Sequence, residues 1–136
     1  MKHPVVFPPA LVRFVERFNR EEFWESHEVL EDAWRASRSD FYHGLILYAS
    51  AFVHVQRANA HGVVAQLQKT QRTLSPYAPE YLGIDLADIL ERSRGIRERL
   101  EGRDGAEEGW EADVSFPRLR LDPERIRGSE PELDEQ

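Results

Sequence analysis

Phe18-Asn19-Arg20-Glu21-Glu22-Phe23-Trp24-Glu25-Ser26-His27-Glu28-Val29-Leu30-Glu31-Asp32-Ala33-Trp34 returns to an apolar residue with every helical turn. Phe23, His27, Leu30 and Trp34 fall at i, i+4, i+7 and i+11, one narrow stripe of an amphipathic helix. A histidine within that stripe and a glutamate at its edge are costly near a core unless something satisfies them. This helix therefore points to where any chemistry would be done. Asn19 followed by Glu22 fits a capping box at its start.

Working outward, Pro8-Pro9 opens a preceding helix whose apolar side is Leu11, Phe14, Val15 and Phe18. Ser37 to Asp40 makes a turn, with Ser39 or Asp40 capping a third helix from Phe41 to about Ala58. That helix is apolar on more than one side, the mark of a central element. One stripe is Phe41, Leu45, Tyr48, Phe52 and Val55; the other is His43, Leu47, Ser50 and His54. Asn59 and Gly62 punctuate the next turn, and a fourth helix turns Val63, Leu67, Thr70 and Leu74 inward. Asp85 caps a fifth, in which Arg92, Arg94, Arg97 and Arg99 alternate with glutamates as a solvated face of paired charges.

Gly102 to Gly109 reads as a linker and Phe116 to Leu121 as an extended segment lying back over the bundle. The expected class is all-α: a compact bundle of about five helices with an irregular C-terminal segment. Residues 1–121 form a single domain and 122–136 an acidic, disordered tail.

The chain has 136 residues, 40% hydrophobic and 32% charged, an ordinary globular balance. A net charge of −7 argues against nucleic acid as a partner, since phosphate binding rests on Lys and Arg. Six acidic residues against two arginines in 122–136 place much of that charge in the tail. There is no cysteine, which removes disulfides, thiolate zinc sites and cysteine nucleophiles and fits a reducing cytoplasm. Met1 to Phe7 lacks the features of a signal peptide. The longest apolar run, near Leu45 to Val55, falls short of the roughly 20 residues of a membrane span.

Two elements could carry chemistry. His27 and Glu31, four apart, can meet one ion or hydrogen-bond each other, with Glu28 beside Trp24. If the second and third helices are antiparallel neighbours, His54 converges on His27. One reading is a small-ligand or divalent-metal site, with His27, Glu31 and His54 as ligands and Glu28 as the base that activates a water. The other is a non-enzymatic structural or interaction module in which the cluster is a buried brace. In that module Phe7, Trp110 or Phe116 forms an apolar patch for self-association or a partner. Whether the protein is an enzyme stays open between them. His27-Glu28-x-x-Glu31 lacks the second histidine of the zinc-protease motif, and no Glu-x-x-His pairs of a di-iron bundle are present. Trp24 and Trp34 read as packing anchors; His3, His43 and His61 read as surface or end positions.

Phe18-Asn19, then Phe23-x-x-x-His27-Glu28-x-Leu30-Glu31-x-x-Trp34, resembles the signature of the domain-of-unknown-function family numbered 309, small helical bacterial and archaeal proteins. Gly44-Leu45-Ile46, Ala49, Ala51, His54, Asn59 and Gly62 resemble its second block. Two departures stand out: Ala58 where the family usually has glycine, and Val63 where it has alanine. The resemblance implies a compact all-helical fold and no established activity.

Overall fold

A computed structural model describes residues 7–102 and 107–128. Proline starts the first helix, α1 (Pro9–Asn19), in the one turn where its missing N–H costs nothing. Its inward side is Ala10, Leu11, Phe14, Val15 and Phe18. The chain reverses through Glu21, at φ 63, into α2 (Phe23–Ser37). Asn19 thus ends α1 and does not cap α2, whose first turn has no side-chain cap. The reason is that the Asn19 amide is bound elsewhere, as described below.

The buried residues of α2 are Phe23, Ser26, Leu30 and Ala33. The inward stripe is therefore rotated slightly from the expected one, leaving His27 and Trp34 at its rim. Ser26 fits inside because it is small and its hydroxyl donates to the Phe23 carbonyl at 2.7 Å. Arg38, in the left-handed region, ends the helix, and Ser39 caps α3 (Asp40–Gln56) by accepting from the Tyr42 amide. This central helix is buried on nearly every side. At its far end Ala58 sits at φ 54, a conformation that favours glycine. Asn59 then caps α4 (Ala60–Leu74), which buries Val63, Leu67, Thr70 and Leu74 as its spacing predicts. Asp85 caps α5 (Leu86–Glu101). Along α5, Arg92 pairs with Asp88, Arg94 with Glu91 and Glu98, and Arg97 with Glu101.

Between α4 and α5 lies a small hairpin that the sequence pattern did not announce. Its strands, β1 (Glu80–Tyr81) and β2 (Ile84–Asp85), pair antiparallel. Leu82 and Gly83 turn between them with positive φ at both positions, as a two-residue hairpin loop requires.

Helices adjacent in sequence pack against one another from α1 to α5. Rings show α2 and α3 to be antiparallel: Phe23 meets Phe52 at 5.3 Å, and Trp34 meets His43 at 4.6 Å. At the centre Phe18 is surrounded by Phe14, Phe23, Tyr48 and Phe52. Each such buried ring contributes about 1.5–3 kcal/mol by leaving water. Gly44 lets α3 and α4 approach, since a Cβ there would overlap the Leu74 side chain. The Tyr48 phenol is pushed well above its ordinary range, chiefly by burial; nearby Arg92 opposes the shift and Asp88 adds to it.

The C-terminal segment crosses back over this bundle as an extended strap. Pro117 and Leu119 are buried while Arg118 and Arg120 face solvent, the alternation of a strand. Phe116 rests against Phe23 and Phe52, at 5.1 and 6.0 Å. Asn19 Nδ2 donates to the Leu119 carbonyl at 2.8 Å, and the Leu119 amide donates to Asn19 Oδ1 at 2.7 Å. Residues 122–128, expected to be tail, instead lie on the hairpin. Asp122 donates to Gly83, Gly83 to Arg125 and Leu82 to Arg127 through the backbone, and Arg125 pairs with Glu80 and Asp122. The remaining tail, 129–136, falls outside the described residues, as does 103–106 of the expected linker. Among the described residues no helix is long and apolar enough to cross a membrane.

Candidate functional site

Helical spacing sets the outer face of α2. His27 Nε2 lies 3.5 Å from Glu31 Oε2, with the two side chains 23% and 24% exposed. Glu31 also holds Arg35, one turn further on. On the other side the Trp24 ring lies 5.3 Å from the His27 ring. The result is a ladder running Trp24, His27, Glu31, Arg35, each step three or four residues, all on one helix. His27 Nδ1 is buried with no hydrogen-bond partner. Glu28 is exposed.

His54 belongs to a different arrangement. Its Nδ1 lies 3.1 Å from Asn59 Nδ2, while Asn59 Oδ1 accepts from the Gly62 amide at 3.0 Å. Because the amide oxygen is already accepting, Nδ2 is the donor and His54 Nδ1 the acceptor, which places the ring proton on Nε2. Burial, and secondarily the charge of Arg57, hold the His54 pKa below its ordinary value. A Cβ on Gly62 would come within 2.5 Å of His54 Nδ1 and 2.8 Å of Asn59 Nδ2. Glycine is therefore required for the histidine to brace the corner between α3 and α4.

The antiparallel pairing does bring the start of α2 beside the end of α3, and Arg57 lies 5.8 Å from the Trp24 ring centre. None of the interactions of His27 or His54 among the described residues joins the two histidines. No group of three or more His, Asp or Glu side chains that could hold a metal ion occurs among the described residues. The set His27, Glu31 and His54 is therefore not gathered as a three-ligand site. The physical reason is local: each histidine is turned to a partner on its own helix or corner.

Other residues also stand apart from their expected roles. Trp24, expected as a packing anchor, is 49% exposed, whereas Trp34 stacks on His43 with Arg38 over its ring. His61 is exposed as expected, and His3 lies outside the described residues. The expected apolar patch is not formed by its named residues: Trp110 and Phe116 are partly buried against the core and Phe7 is half-buried. Two clefts, of about 240 and 270 Å³, lie elsewhere, one beneath Arg118, Arg120 and Asp122 and one between α5 and Val114. The residue that sequence reasoning missed is Asn19. Its capping-box spacing pointed to a local role, and no signal within the motif indicates a partner a hundred positions away.

No curated protein matches the chain. Residues 11–66 match a family model, and they comprise α1 from Leu11 onward, α2, α3 and the first half of α4, with the whole His/Glu ladder and the His54 corner. Over that segment the chain is similar to the family described as Domain of unknown function (DUF309), the one its motif resembles.

Proposed function

We propose that this protein acts by contact and not by catalysis: a non-enzymatic helical interaction module whose His/Glu residues hold local structure. The observation that carries this reading is the pairing of its candidate residues. His27 has Glu31, Glu31 has Arg35, and His54 has Asn59. Glu28, the candidate base, stands exposed to solvent, where water is not excluded from its carboxylate.

The contact surface is centred on Trp24, the more exposed of the two large exposed hydrophobic side chains among the described residues. Arg57 lies over its ring and His27 beside it. Tryptophan and arginine are the residue types that dominate protein interfaces, because each offers a large contact area with a polar edge.

Metal loading tests the reading against its rival. Protein purified without chelator is expected to carry no stoichiometric metal by elemental analysis. Its melting temperature should not move on addition of Zn, Mn, Fe or Ni salts, and His27→Ala should behave the same. A metal-dependent rise in melting temperature that disappears in His27→Ala would replace the contact reading with a ligand site at α2.

A further inference from the structure

We propose that the channel between the end of α1, the start of α2 and α3 is a docking site for an extended peptide segment of the form Phe-Pro-basic-Leu, which the chain's own residues 116–119 occupy in this structure. This goes beyond the contact reading at Trp24 and stands on different residues. Asn19 grips the strap through both backbone groups of Leu119, accepting from its N–H and donating to its C=O. Those groups belong to every extended peptide, so the grip reads backbone and is indifferent to side chain, as in strand addition to a sheet edge.

Selectivity comes from the positions around it. The place of Phe116 is a surface made by the Phe23 and Phe52 rings. Pro117 and Leu119 are buried, so both must be apolar, and proline at 117 keeps the segment extended. The Arg118 guanidinium donates to the Asn19 carbonyl at 3.3 Å, which favours a basic residue between them.

The receptor and its occupant come from separate parts of the chain. Asn19, Phe23 and Phe52 all lie within residues 11–66, the segment shared with the family. The strap lies outside that segment and is joined to α5 through a stretch bearing Gly102, Gly105 and Gly109. Tethering gives the strap an effective concentration of about millimolar. A partner segment in trans must displace it, and weakening the strap uncovers the site.

The test uses the full chain and a fluorescein-labelled synthetic peptide of residues 113–127, read by anisotropy. Binding to the chain carrying Phe116→Ala and Leu119→Ala is expected to be at least about tenfold tighter than to the wild-type chain. A peptide N-methylated at the Leu119 nitrogen, which cannot donate to Asn19, should bind about tenfold more weakly than the parent. Adding Asn19→Ala to the variant chain should weaken the parent peptide similarly. A variant that keeps its helical circular dichroism yet does not bind the peptide overturns the proposal. So does equal binding of the N-methylated peptide. A variant that loses helix and is not restored by the peptide also overturns it, since the channel would then not exist apart from its strap.

Discussion

The junction at Asn19 and the outer face of α2 carry polar residues of one motif, and the fold uses them in opposite ways. Asn19 closes the molecule across a hundred residues of sequence, with two hydrogen bonds to the backbone of one residue, Leu119. Glu31 reaches only His27 and Arg35, each one turn away on its own helix. A long-range bond of this kind fixes the path of a segment that has little regular structure of its own. A pair at i,i+4 on a helix surface adds only a few tenths of a kcal/mol and leaves the path unchanged. Within one motif, then, the residue that looks chemical is local, and the one that looks like a cap is architectural.

The largest effect should come from breaking the junction at its base. Phe23 supports both Phe52 of the core and Phe116 of the strap, so Phe23→Ala is expected to cost about 3–5 kcal/mol. Chemical denaturation would measure this, and a loss below about 1 kcal/mol would mean that the strap does not depend on this ring. Ala58→Gly is expected to stabilise by about 1 kcal/mol, because Ala58 takes a left-handed conformation that costs little to glycine. That gain should appear as a raised melting temperature. On the outer face, Glu31→Gln should change stability by no more than about 0.5 kcal/mol; a loss of several times that would make the ladder a brace between elements.

The smallest effect is in the pH profile. The folded His54 pKa is held below the unfolded value near 6.5, so as pH falls the unfolded state takes up the proton first. Stability from this corner is full above about pH 6.5 and declines as pH drops through the lowered folded value. In Arg57→Gln that decline should be reduced when melting temperatures are compared from pH 7.5 to 5, because the neighbouring cation that disfavours His54 protonation is removed. An unchanged decline would assign it to other groups.

Much of the fold was legible because period 3.6 leaves its mark on every turn. The inward residues of α1 and α4 are those that the spacing marks, and Ser39, Asn59 and Asp85 cap where short polar side chains precede apolar runs. The hairpin escaped notice because strands of two residues are too short to show alternation. The place of His27 was only half legible. Periodicity located the stripe, but Ser26 and Ala33 lie inside it and turn His27 to the rim, which a pattern weighted toward large side chains does not register. Convergence with His54 required knowing where each ring turns, and that is set by Asn59 and Glu31. Nothing local distinguishes an asparagine that caps from one that grips a distant backbone.

Amide hydrogen exchange at Leu119 tests the contrast most directly, comparing wild type with Asn19→Ala and His27→Ala. The Leu119 amide is expected to lose protection by about tenfold or more in Asn19→Ala, as its acceptor is removed, and to keep it in His27→Ala. Unchanged protection in Asn19→Ala, or an equal loss in both variants, would contradict the account that Asn19 alone of these residues ties the strap to the helices.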